Sequence, residues 1–333
     1  MATTLIMGAG AWGTALAVSL ARNDCDVLLA GRDAAELEAL QAARENVRYL
    51  PGVTFPAKLQ IATTTSAIDP ASITDIILAM PCAGLRWALA ELQPRFNLAE
   101  IGICLACKGL EPDSLQLNHH VVIECVGNVP VAVLSGPSFA RELAAGLPTA
   151  VTLASDNPAF ADRLQQRYHS EQLRIYTHDD VIGVEVGGAV KNVMAIAAGI
   201  ADGLGFGANT RTALITRGLA EIMRLGVALG GKPETFMGLA GLGDLVLTCT
   251  DDQSRNRRLG LALAQGKTAD AACAEIGQVV EGVRSAGATR ALAKKHNIEM
   301  PITEHVVAVL AGDITPKSAV QSLLSRDPKP ELG

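Results

Sequence analysis

Leu5–Ala21 reads LIMGAGAWGTALAVSLA: a short apolar run, three glycines within six positions, then a stretch of helical composition. The spacing predicts a strand, a tight turn and a helix, with Gly8, Gly10 and Gly13 forming G-x-G-x-x-G at the junction. In that context the first glycine permits the turn, the second lets a diphosphate approach the backbone, and the third allows the helix to pack closely. The diphosphate is expected on the helix N-terminus, where unpaired N–H groups and the helix dipole favour negative charge. Ala11 and Trp12, between the second and third glycines, belong to the same cofactor-binding set.

Working outward, TTLIMGAG, DVLLAGR, ITDIILAMP, EIGICLACKG and VPVAVLSGP are short β-rich runs separated by helical patterns. Their nearly unbroken apolar character marks strands buried on both faces, as in a parallel sheet covered by helices. TAVTLAS and LRIYTH extend that sheet. Beyond His178 the chain turns to Ala/Leu/Gly-rich helical stretches such as TALITRGLAEIMRLGVALG. The expected architecture is α/β: a Rossmann-type, doubly wound, mainly parallel sheet over residues 1–178, then an all-α domain over residues 179–333.

Composition narrows the function. The 333 residues are 49% hydrophobic, ample for a large core. A formal net charge of −6 argues against nonspecific binding to nucleic acid or anionic membrane, so an anionic ligand needs a local cluster of donors. The N-terminal segment lacks the basic start of a secretory signal, and VGGAVKNVMAIAAGI reads as too short for a membrane span, with Lys191 and Asn192 at its centre. Seven cysteines, an odd number at irregular spacings, read as reduced thiols in the cytoplasm, and no metal site is expected. His119 and His120 read as solvent-facing.

The end of the second strand discriminates between NAD and NADP. Here it is Gly31 and Arg32, so Arg32 is placed to pair with a 2′-phosphate; NADP is the preferred cofactor, and Asp33 leaves NAD open. Ligands of open α/β sheets lie beyond the carboxyl ends of the strands, which directs attention to Lys108 in ACKG and to Gly136 and Ser138 in SGPS. Lys108 is the one cation at these strand exits.

A second stretch, EVGGAVKNVMAIAAGI, holds Lys191 among Val184, Gly187, Gly188, Met194, Ala195 and Ala198 on a helical face. A buried ammonium without compensation is costly, so this lysine snorkels, finds a partner elsewhere, or serves a purpose. In TCTDDQSRNRRLG, Ser254, Arg255 and Asn256 lie where a loop becomes a helix, so hydroxyl, guanidinium, amide and backbone N–H groups can converge on one dianion. GLAGLGDL places Asp244 behind glycines, able to accept from a substrate hydroxyl, hold Lys191, or cap the next helix.

Together, GAGAWGTALA, CKGLE, SGPSFA, GAVKNVMAIAAG, GLAGLGDLVLTCTDDQSRNRRLG and QVVEGVRSA resemble, in order and over nearly the whole chain, the bacterial biosynthetic NAD(P)-dependent glycerol-3-phosphate dehydrogenases. Cys82 and Cys107 depart from the hydroxyl residues more usual there. The resemblance implies reversible reduction of dihydroxyacetone phosphate to sn-glycerol 3-phosphate, the entry to glycerophospholipid synthesis, in a cytoplasmic homodimer. It makes Lys191 the general acid in reduction and base in oxidation, with a pKa expected to fall toward the working range in an apolar pocket. It assigns substrate contact to Ser254, Arg255 and Asn256; Lys108, Gly136, Ser138 and Asp244, read from the strand exits and the glycine run, complete the expected substrate-binding set. It assigns cofactor contact to Lys108, Ala140, Arg255, Val279 and Glu281. Two rivals share parts of the plan: a β-hydroxyacid dehydrogenase acting on carboxylates, against which SRNRRLG and CKGLE count, and a non-catalytic dinucleotide sensor.

Overall fold

The computed structural model describes residues 2–63 and 68–327. The strands are β1 (Thr3–Met7), β2 (Asp26–Ala30), β3 (Glu45–Asn46), β4 (Leu50–Thr54), β5 (Leu59–Ala62), β6 (Ile73–Leu78), β7 (Ile103–Leu105), β8 (Val131–Ser135), β9 (Thr149–Ala154) and β10 (Leu173–His178). Eight of them form one sheet in the order β10-β9-β8-β7-β6-β1-β2-β5, while β3 and β4 pair as a separate antiparallel ribbon. All neighbours in the large sheet are parallel except β8 and β9. The seven expected strands are all present; β5 and the ribbon are additional. β5 is only LQIA, with two of its four residues away from the interior, and gives little hydrophobic signal.

Alternate residues explain the unbroken apolar runs. In β1, Ile6 packs into one core cluster while Leu5 and Met7 pack into the other, on the opposite face. Both faces are covered, as parallel sheets require. Strand order reverses at β1, which lies between β2 and β6, so the crevice beyond its carboxyl end is the topological switch point.

The chain forms two compact units, one of residues 1–188 with 230–244, the other of residues 189–229 with 245–333. The sequence reading places one boundary at residue 178; the structure places three crossings. The cause is local packing in the first unit. Gly187 accommodates the Ala240 carbonyl at a distance a methyl group would reduce to 2.5 Å, and Val184 and Ala240 join the sheet's core cluster. Helical composition therefore begins before membership of the second unit does.

Among its described residues the regular elements of the second unit are all helices. Ser254, Thr268 and Thr315 cap the N-termini of helices Arg255–Ala264, Ala269–Ile276 and Pro316–Leu324. The helix Val181–Gly203 is long and apolar enough to cross a membrane, contrary to the estimate from its core segment, but 94% of its most apolar window is buried inside the protein. His119 also departs from expectation. It is half-buried, and its ring pairs with the buried carboxylate of Glu185; His120 is exposed.

Candidate functional site

The first unit gathers the glycine loop and the strand exits. Gly8 has φ +119°, and a Cβ there would lie 2.7 Å from the backbone of Ala79 and Met80 at the end of β6. A Cβ on Gly13 would come within 1.9 Å of the Gly8 carbonyl oxygen, so helix Ala11–Arg22 sits against the turn only because Gly13 lacks a side chain. Gly10 differs: no heavy atom lies within 4 Å of where its Cβ would be. The protein gives its own reason for two glycines and leaves the third facing open space, the fit expected where a diphosphate meets the backbone. The helix has no acidic residue in its first turn to compete with such an anion. Trp12 packs partly buried against the core, its indole nitrogen enclosed without a protein partner.

At the end of β2, Arg32 is exposed. The neighbouring Asp33 is already engaged: it caps helix Ala34–Ala43, its carboxylate accepting from the Glu36 N–H at 3.1 Å. Across the sheet, Lys108 Nζ pairs with Asp244 Oδ2 at 2.6 Å and donates to the Gly136 carbonyl at 3.0 Å. Ser138 Oγ donates to that same carbonyl at 2.9 Å, and Ala140 opens the following short helix. Gly136 has φ +143°, a conformation that only glycine adopts readily. Asp244 is 1% exposed and follows a π-helical turn, Leu239–Gly243, so the open alternatives for its carboxylate gain a further one, the ion pair with Lys108. Cys82 and Cys107 are buried, and their mutual hydrogen bond together with burial holds the Cys107 thiol well above its ordinary pKa.

The second unit gathers the remaining residues. Lys191 is 7% exposed in helix Val181–Gly203, and its Nζ donates to Thr248 Oγ1 at 2.9 Å. Thr248 was not singled out by sequence reading. The signal available was its position one helical turn beyond Asp244, which puts both on one face of helix Asp244–Thr250. Ser254 caps helix Arg255–Ala264 through the Arg257 N–H at 3.2 Å. Asn256 Nδ2 donates to Asn192 Oδ1 at 2.9 Å, while Asn256 Oδ1 accepts from the Gly282 N–H at 2.9 Å. Arg257, read from sequence only as part of a basic helix start, is buried. It donates to the Cys249 carbonyl at 3.2 Å and pairs with Asp202 at 2.7 Å, and also with Asp252, fixing the loop that carries Ser254.

Arg255 donates to Gln278 Oε1 at 3.3 Å, and Glu281 opens helix Glu281–Lys295 nearby in sequence. Burial pushes the Arg255 guanidinium below its ordinary range, against the attraction of Glu281, and pushes the Glu281 carboxyl up. A desolvated cation at a helix start is suited to an oxyanion. Val279 is 44% exposed.

Residues 3–161 match the family model described as the NAD-dependent glycerol-3-phosphate dehydrogenase N-terminus, and residues 180–321 match the model for its C-terminus. The chain belongs to the NAD-dependent glycerol-3-phosphate dehydrogenase family. It is 53% identical over 330 residues to the glycerol-3-phosphate dehydrogenase (NAD(P)+) of Janthinobacterium sp. (strain Marseille), covering 98% of each chain. The protein of the same name from Photobacterium profundum is 51% identical over 331 residues, covering 99% of this chain and 97% of its own. A crystal structure of glycerol-3-phosphate dehydrogenase from Coxiella burnetii superposes with a TM-score of 0.93 at 47% identity, covering 97% of this chain and 99% of that one. Membership of this glycerol-3-phosphate dehydrogenase family makes the protein an oxidoreductase, in keeping with the glycine loop at its switch point.

Proposed function

We propose that the protein reduces dihydroxyacetone phosphate to sn-glycerol 3-phosphate, reversibly, with NADPH preferred over NADH, for glycerophospholipid synthesis. The observation that carries the reading is Lys191: an amine buried in an apolar helix and donating to the Thr248 hydroxyl, within a family whose members are named for this chemistry. The nicotinamide, when bound, supplies the hydride. Lys191 gives a proton to the ketone oxygen as it becomes an alkoxide and takes it back in oxidation. Thr248 fixes the direction of Nζ. Ser254, Arg255 and Asn256 hold the phosphate dianion, and Lys108, Gly136, Ser138 and Asp244 form the polar rim that meets the substrate's oxygens.

For the cofactor, Gly8, Gly10, Ala11, Trp12 and Gly13 hold the diphosphate. Ala140, Val279 and Glu281 complete the contacts, with Lys108 and Arg255 shared with the substrate. Arg32 selects NADPH, supported by Asp33 being occupied as a helix cap. The working form is a homodimer in the cytoplasm, its dimeric state checked by sedimentation of the purified protein.

The deciding experiment is NADPH consumption with dihydroxyacetone phosphate in wild type and Lys191→Ala. The variant is expected to lose about 10²–10⁴-fold in kcat while retaining NADPH binding. Near-normal turnover would remove Lys191 from the chemistry, and consumption with a simple 2-keto acid but not the phosphate would favour the carboxylate-directed rival.

A further inference from the structure

We infer that Asn46 is a positioning residue for the cofactor, aiming the Gly10 N–H at the diphosphate; the inference rests on the dinucleotide reading of the glycine loop. Asn46 lies in the β3–β4 ribbon and is fully buried. Its Oδ1 accepts from the Tyr49 N–H at 3.0 Å, which settles the orientation of the amide. Its Nδ2 then points to the glycine loop, donating to the Ala9 carbonyl at 2.9 Å and to Thr14 Oγ1 at 2.8 Å.

The Ala9 carbonyl and the Gly10 N–H belong to one peptide plane. In a trans peptide they point in opposite directions, and among the described residues every peptide is trans. By drawing the carbonyl oxygen toward the ribbon, Asn46 turns the Gly10 N–H away from it. Gly10 is also the glycine whose missing side chain faces open space. Without Asn46, the Ala9 carbonyl keeps the longer hydrogen bond from Thr14 Oγ1 at 3.5 Å, and the glycine-flanked peptide turns more easily to present a carbonyl oxygen to the diphosphate, replacing a hydrogen bond by repulsion between like partial charges.

The test compares Asn46→Asp, Asn46→Ala and wild type, using NADPH fluorescence for the dissociation constant and adenosine 2′-phosphate, which has no diphosphate, as a competing probe. Asn46→Asp keeps the acceptor for Tyr49 but loses both donors. NADPH affinity is expected to fall by about 10- to 100-fold, the scale of one charge-assisted hydrogen bond. Adenosine 2′-phosphate affinity and the KM for dihydroxyacetone phosphate at saturating NADPH are expected to stay within about twofold of wild type on the same scale. A folded Asn46 variant that binds NADPH as wild type does would overturn the inference, as would parallel loss of both ligands. If neither Asn46 variant folds, Thr14→Val decides: selective weakening of NADPH supports the role and unchanged NADPH affinity refutes it. Wild type failing to bind NADPH would instead sink the dinucleotide reading.

Discussion

Arg32 and Asp33 show how adjacent residues divide their work. An acid at the end of the second strand ordinarily repels a 2′-phosphate, but the carboxylate of Asp33 is committed to the Glu36 N–H. Arg32 is left exposed beside it. Arg32→Ala should therefore raise the KM for NADPH by about 10- to 100-fold, the equivalent of one charge-assisted contact, with little change for NADH. Equal losses in steady-state kinetics would take that role from Arg32. At this scale the sequence carried much of the candidate site. Lys191, Lys108, Asp244 and Arg255 stood out because a charge in apolar or glycine-rich surroundings needs explaining. Two supporting residues did not: Thr248 and Asn46 are ordinary polar residues whose significance depends on contacts across 57 and 37 residues of chain.

Helix packing in the second unit depends on bare backbone. A Cβ on Gly199 would stand 2.1 Å from the Arg257 carbonyl oxygen, and one on Gly260 would stand 2.2 Å from the Ile196 carbonyl oxygen. These glycines let helices Val181–Gly203 and Arg255–Ala264 approach, carrying Lys191 on one and Arg255 on the other. Gly199→Ala is expected to destabilise the protein by about 1–3 kcal/mol and to raise the KM for dihydroxyacetone phosphate, because the helices must separate. Thermal unfolding and steady-state kinetics read the two effects. Gly282 is similar: a methyl group there would sit 2.6 Å from Asn256 Oδ1. The parallel strands were legible as unbroken apolar runs. The β3–β4 ribbon was not, since two and five residues with a proline and a glycine carry no periodicity.

For the molecule as a whole, pH enters through Glu221, buried in helix Ala208–Ala228. Its carboxyl accepts from the Ile302 N–H at 2.6 Å and from Thr303. Burial raises its pKa from 4.5 to about 7, against the pull of those hydrogen bonds. The folded carboxyl binds its proton more tightly than the unfolded one, so this stability is fully present below about pH 4.5 and is lost as pH rises through about 7. The size is roughly 3 kcal/mol as an upper figure. Wild type should lose several degrees of Tm across that window relative to its own acid-side value, while Glu221→Gln, which keeps an acceptor, should give a flatter profile. Identical profiles would show that Glu221 does not titrate there. The division into a sheet unit and a helical unit was legible from composition, but the return of residues 230–244 to the sheet unit was not, because it depends on the Lys108–Asp244 pair and on glycine contacts distant in sequence.

That returning segment has a consequence for birth on the ribosome. After residue 178 has been added, another 66 residues, 179 to 244, must be made before the sheet unit has all its parts. At ~5–20 residues per second this takes on the order of 3–13 s. Until near the end of that interval the nascent chain shows the apolar surface that Ala240 will cover, and Lys108 waits for its carboxylate. The emerging polypeptide thus presents to chaperones a nearly finished sheet whose closing piece is still inside the translation machinery.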